Sequence, residues 1–157
     1  MLEQQPVENK ALHTRYADNG RQEVFDPLRR RWVALTPEEH VRQLFVRYLS
    51  ADLHYPQGLM ANEVELRIGD KRIRCDTVVY DRHLHPLMVV EYKSPAVTLT
   101  QQVADQVMAY NRVLRAPLLV ITNGRQMLCW RADYETATCS LLDRLPDYEE
   151  LGRTRPS

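Results

Sequence analysis

Residues 117–124 read PLLVITNG, a nearly unbroken apolar run closed by an Asn-Gly turn signal. A strand with one wet face alternates apolar and polar residues, so an unbroken run belongs to a strand covered on both faces. A stretch with helical spacing precedes it (98–115), and before that comes a second apolar run, PLMVVEYK (86–93). Strand, helix, strand in this order places the two strands parallel through a right-handed crossover. The chain is thereby committed to a sheet with helices packed on it.

The other segments fit around that unit. TPEEHVRQLFVRYL predicts a helix with Thr36 as N-cap, Pro37 at its first position and Glu39 completing a T-x-x-E capping box. Its inner stripe is Val41, Leu44, Phe45, Tyr48 and Leu49. LMANEVELRI (59–68) alternates, with Met60, Val64, Leu66 and Ile68 on one side and Glu63 and Glu65 on the other. RIRCDTVVYD (72–81) returns after Gly69-Asp70, and 87–93 follows, giving an antiparallel meander. Thr98 or Thr100 caps the second helix, whose inner stripe is Val103, Val107, Tyr110 and Leu114. Residues 126–132 return from the Asn123-Gly124 turn. Residues 23–35 read as two short strands around a turn, with Arg29, Arg30 and Arg31 at a solvated tip. The fold class is α/β: a mixed central sheet, in which a three-strand antiparallel meander is followed by a helical crossover to a parallel strand, flanked by helices. Residues 1–22 are expected to be a loosely ordered lead-in and 23–157 a single domain.

Composition excludes several classes. The formal net charge is zero, so no global basic field advertises nucleic acid, and an anionic partner must be gripped locally. Cys75, Cys129 and Cys139 have neither disulfide arithmetic nor C-x-x-C spacing, and Cys75 and Cys129 fall within strands as small buried hydrophobes. No run approaches the ~20 apolar residues of a membrane span, and MLEQQPVENK lacks the pattern of a signal peptide. A cytoplasmic location without membrane contact is the expectation.

Glu91 and Lys93 stand two residues apart at the end of the apolar strand, and so share one face. Asp76 lies on the neighbouring antiparallel strand, where cross-strand partners sit within ~5.5 Å. Two carboxylates and an ammonium then converge, a set that suits Mg²⁺ or Mn²⁺ and a phosphate substrate. The lysine would orient water or neutralise charge on a phosphorane. An isolated E-x-K is weak, because a charge pair at a strand end is commonly a surface salt bridge. Lys93 pairing structurally with Asp76 or Glu91 is the corresponding alternative. His54, His83 and His85 lie in turns without metal-ligand spacing and are expected in solvent, while Lys71, Arg72 and Arg74 fit either phosphate contacts or a solvated strand edge.

Asp76 followed by Glu91-Tyr92-Lys93 resembles the D…(D/E)-x-K signature of the PD-(D/E)XK, or restriction-endonuclease-like, nucleases. CDTVVYDR, PLMVVEYKSP, DQVMAYN and LVITNG together resemble the N-terminal nuclease domain of type I restriction enzyme R subunits, over roughly residues 36–148. The resemblance implies Asp76 and Glu91 as metal ligands, the Tyr92 carbonyl as a third, and Lys93 as the water-activating or phosphate-stabilising lysine. Gln106 and Tyr110 match a Q-x-x-x-Y motif, which implies that Gln106 positions DNA or water; Tyr110 also fits the core. Glu38 is preferred as a supporting acid on the first helix because it lines up with Val41 and Phe45, against Glu39; Glu63 competes with Glu65 on the strand before Asp76. The implied activity is Mg²⁺-dependent DNA phosphodiester hydrolysis, with a homodimer or partner subunit supplying further DNA affinity. The alternative is a non-catalytic DNA-binding or protein-interaction module on the same fold.

Two departures qualify the resemblance. Cys75 stands where the wider family carries proline. The type I subunit continues into an ATP-driven motor, whereas this sequence stops at Ser157 and holds no G-x-x-x-x-G-K loop, so no ATP-driven translocation and no nucleotide cofactor are expected.

Overall fold

The structure is a computed structural model that describes residues 2–3 and 12–153; the side chains of residues 2, 3, 68, 110, 113, 152 and 153 lie outside that description. Helix α1 (Pro37–Ala51) starts where its sequence dictates: the Thr36 hydroxyl accepts the Glu39 N–H at 3.0 Å, and Pro37 fills the first turn. The capping box closes on that side alone, because the Glu39 carboxylate turns inward to arginines. A short 3₁₀ turn (Gln57–Leu59) leads into strand β5 (Met60–Ile68), β6 (Lys71–Tyr80) and β7 (Pro86–Tyr92), the expected meander. Helix α2 (Gln101–Leu114) is capped by Thr100 and ends on Arg115 in the left-handed conformation. Strand β8 (Leu118–Thr122) then pairs parallel with β7, and β9 (Gln126–Asp133) returns antiparallel.

These strands form the centre of a seven-stranded mixed sheet in which β9-β8-β7-β6-β5 run in that order. Its outer edge on β9 is shared by β1 (Leu2–Glu3) and β10 (Thr138–Leu141). The chain closes with α3 (Tyr148–Arg153). Every residue of β8 is buried, as an unbroken apolar run requires. Phe45 and Leu49 of α1 pack on one sheet face with Val79, Met88, Val90 and Val120. Ala104 and Val107 of α2 pack on the other with Val78, Val89, Leu119 and Ile121. Fully burying a side chain of this size stabilises by ~1.5–3 kcal/mol, so these two layers carry the fold. Among the described residues no helix is long and apolar enough to cross a membrane.

The structure differs from the sequence expectation before α1. Thr14–Tyr16 forms β2 and pairs with β3 (Gln22–Asp26), which pairs in turn with β4 (Arg31–Ala34). Residues 12–22, expected within a loosely ordered lead-in, thus contribute to a second, three-stranded sheet; residues 4–11 lie outside the described residues. Strand β2 is exposed at all three positions, so it carries no hydrophobic periodicity to read. The second sheet lies along the far side of α1, where Phe25, Gln43, Val46 and Arg47 line a common cavity of about 220 Å³. Helix α1 consequently buries polar Glu39, Arg42 and Gln43 beside its apolar stripe.

Candidate active site

The β6–β7 ladder stops at Thr77↔Val90, and one further step of the same register would set Asp76 opposite Glu91. In place of a ladder bond, the Asp76 carboxylate accepts the Tyr92 main-chain N–H through Oδ2 at 2.9 Å. Strand β7 stays fixed from its other side. Its parallel pairing with β8 runs on to Tyr92↔Thr122, and the Lys93 N–H donates to the Thr122 carbonyl at 2.9 Å. The sheet therefore opens between β6 and β7 while β7 remains rigid. Both carboxylates sit in that opening.

Strand β5 and strand β6 reverse their facing at this same level. Met60, Asn62, Thr77 and Val79 face α1 or its polar layer, whereas Val64, Leu66, Ile73 and Cys75 join the layer under α2. Strict alternation would keep Met60, Val64 and Leu66 on one side, as the sequence reading expected. Glu63, at φ +55°, breaks it by adopting the left-handed region. Such a non-glycine residue costs ~1–3 kcal/mol and persists when its surroundings over-determine it. Here Arg42 Nη2 and Arg74 Nε each donate to the Glu63 carboxylate at 2.5 Å.

Arg42 organises the space behind the opening. Its Nε lies 2.9 Å from Glu39 Oε2, Nη1 donates to the Asp76 carbonyl at 3.3 Å, and its guanidinium stands 5.6 Å from the Tyr92 ring centre. A second chain of polar contacts lies alongside. The Tyr92 hydroxyl donates to Thr77 Oγ1 (2.9 Å), Thr77 Oγ1 donates to Asn62 Oδ1 (2.6 Å), and Asn62 Nδ2 donates to Asp26 Oδ2 (3.0 Å). Arg29 then joins Asp26 to Glu39. Arg29 is thus a half-buried link between the small sheet and α1, not part of a solvated tip, while Arg30 and Arg31 are exposed.

Electrostatics single out the carboxylate pair. Burial, then the adjacent Asp76, pushes the Glu91 carboxyl up to about 8, with Lys93 opposing. Burial also raises Asp76, against the Tyr92 N–H and the Arg42 charge. Two desolvated carboxylates in one opening favour retention of a proton on Glu91. Glu38 is drawn into the same field: desolvation raises it first and Asp76 next, while Arg42 and Lys93 lower it. Lys93 makes no ion pair with Asp76 or Glu91 among the described contacts and acts through space on Glu91 and Glu38.

The candidate positions separate into two groups. Asp76, Glu91, Tyr92 and Lys93 converge at the sheet opening, with Glu38 electrostatically coupled to them. Gln106 is exposed on α2 and has no described contact with this group. The Tyr110 side chain lies outside the described residues. Glu39 and Glu63 are engaged by arginines, and Glu65 is exposed beside Arg72. Among the described residues, no three His, Cys, Asp or Glu side chains gather as a ready metal-ligand set. Arg42 escaped the sequence reading; the available signal was its i, i+4 spacing from Glu38 on the helix face turned to the sheet.

Comparison with known proteins follows the same elements. No curated protein gives a significant match. A solved fragment assigned as the HsdR subunit of a type I restriction enzyme from Vibrio vulnificus YJ016 has the same fold, with a TM-score of 0.55 and 22% identity over 76% of this chain. The present chain spans 25% of the length of that one. Residues 37–146 match the family described as Type I restriction enzyme R protein N terminus (HSDR_N). This is the α1–β9 core together with the segment that leads to α3, and the chain belongs to that family.

Proposed function

We propose that the chain is a metal-dependent DNA phosphodiester hydrolase, with Asp76 and Glu91 as metal ligands and Lys93 as the residue that handles the attacking water. The observation that carries this reading is the end of the β6–β7 ladder, where two half-buried carboxylates share one opening beside a lysine that neutralises neither by direct pairing. Family membership supports the restriction-enzyme context.

The donor set fits a hard divalent cation. Burial, and then the adjacent Asp76 carboxylate, holds Glu91 up to about 8, and an oxygen-liganded cation would offset both effects. Two carboxylates and the Tyr92 carbonyl would hold Mg²⁺ or Mn²⁺, which keeps waters for a phosphate substrate. When bound, the ion polarises the scissile phosphate and lowers the pKa of a coordinated water. The protein's own residues do the rest. The Tyr92 N–H and Arg42 keep Asp76 in place; Lys93 stabilises negative charge on the phosphorane; Glu38 is a supporting acid at the rim. Gln106 orients the incoming strand in this reading. Zero net charge implies modest nonspecific DNA affinity, so a second copy or a partner subunit contributes further contacts in the cytoplasm.

Cleavage of supercoiled plasmid and of single-stranded DNA with Mn²⁺ tests the reading. The wild type is expected to cut, and Lys93→Ala to be slower by about 10²–10³-fold with Mn²⁺ affinity retained. Equal rates for the wild type and Lys93→Ala would reject the assignment.

A further inference from the structure

A groove of about 520 Å³ opens beside the candidate site at the carboxyl ends of β7 and β8. One wall is the loop 95–98, which leaves β7 directly after Lys93; the other is the β8–β9 turn with Asn123, Arg125 and Gln126. The walls are fastened to each other. Asn123, 4% exposed, donates from Nδ2 to the Val97 carbonyl at 2.9 Å, while its Oδ1 accepts the N–H groups of Arg125 and Gln126, both at 2.9 Å. The turn itself is seated on α1: Gly124 has φ +86°, and a Cβ there would meet Val41 Cγ2 at 3.2 Å. The groove is thus held open by its own hydrogen bonds.

Arg125 is the charged side chain of this rim. It is exposed, and among the described residues its guanidinium has no carboxylate partner. A free guanidinium presents a fork of donors matched to phosphate oxygens. Three residues of chain from Lys93 to Ala96 span at most ~10 Å, and one DNA strand carries a phosphate every ~3.4 Å of axis. A strand whose scissile phosphate lies at Lys93 therefore has neighbouring phosphates within reach of the groove.

We infer that this groove is a subsite for the phosphodiester of the nucleotides flanking the cleaved bond, gripped by Arg125. The inference rests on the nuclease reading for the position of the strand, but DNA binding tests it independently of cleavage. Fluorescence anisotropy with labelled duplex and single-stranded oligonucleotides, in EDTA and over a salt series, supplies the measurement. Arg125→Ala is expected to weaken binding by about 3–10-fold for unrelated sequences and to reduce the slope of log affinity against log salt by about 1, with Arg125→Lys retaining most of the slope. Ala96→Glu, which sets an anion in the exposed wall, is expected to weaken binding by about 10-fold. Mn²⁺ affinity and melting temperature should stay at wild-type values in all three variants. An unchanged salt slope in Arg125→Ala, or no measurable DNA binding by the wild type, overturns the subsite. Wild-type protein that binds DNA with the predicted Arg125 dependence yet cuts nothing supports the subsite and rejects the nuclease reading. Cutting with an Arg125-independent KM does the reverse.

Discussion

Glu63 and Asp76 stand opposite each other where both strands of the β5–β6 hairpin change the face they present to the core. Neither belongs to a ladder pair, although the pairs on each side, Asn62↔Thr77 and Val64↔Cys75, keep one register. The left-handed backbone of Glu63 reverses the hairpin without inserting a residue. It does so at the level where Asp76 leaves the β6–β7 ladder and bonds Tyr92 through its side chain. A local conformational exception and the candidate site are therefore one structural event.

Glu63→Ala and Glu63→Gly remove the same carboxylate and differ in backbone tolerance. At φ +55° glycine avoids the Cβ penalty, so the glycine variant is expected to be more stable than the alanine variant by ~1 kcal/mol. In an ordinary strand the order would be opposite. Paired urea titrations decide between them.

Arg42 holds Glu39 and Glu63 from a side chain only 4% exposed. Arg42→Met leaves both acids without that charge, and loss of one partner of a buried ionic set costs ~3–5 kcal/mol. For a chain of this length that corresponds to a melting temperature lower by roughly 6–20 °C, measurable by calorimetry. A shift within experimental error would show that the network contributes little.

Asp26 supplies the pH dependence. Burial raises its carboxyl, but bonds from Asn62 and Arg29 and from the main chain at Leu28 and Arg29 bring it below its ordinary 3.8. A carboxylate lowered in the folded state stabilises above its unfolded pKa and loses that contribution as pH falls through the folded value. Asp26→Asn is expected to cost ~3–5 kcal/mol near neutrality and to flatten the acid limb of stability below about pH 4. Denaturant midpoints measured across that range check both effects.

Between its ordinary value of 4.5 and about 8, Glu91 must take up a proton for the metal-free protein to fold, so replacing it with a neutral amide should stabilise that form. In EDTA near neutrality, Glu91→Gln is expected to melt above wild type. Mn²⁺ at 100 times its dissociation constant should stabilise wild type by ~2.7 kcal/mol and leave Glu91→Gln and Asp76→Asn unmoved. An equal Mn²⁺ response in all three proteins would place the ion elsewhere.

The sequence by itself determined the helices and strands from α1 to β9, their order and the parallel crossover. The burial demand of PLLVITNG, the caps of both helices and the meander are local properties, readable from a few neighbouring residues. It also brought Asp76, Glu91 and Lys93 together, because alternation and strand adjacency are enough to align them. Tertiary structure alone decided how the opening is held. Arg42 meets Glu63 across 21 residues and Asn62 meets Asp26 across 36, so no local pattern marks these partners. The exposed strand β2 leaves no apolar period, yet the sheet it joins buries Arg29 and the polar flank of α1. Alternation is a rule about neighbours, and the αL residue Glu63 overrides it because charges from a helix and an adjacent strand hold that conformation in place.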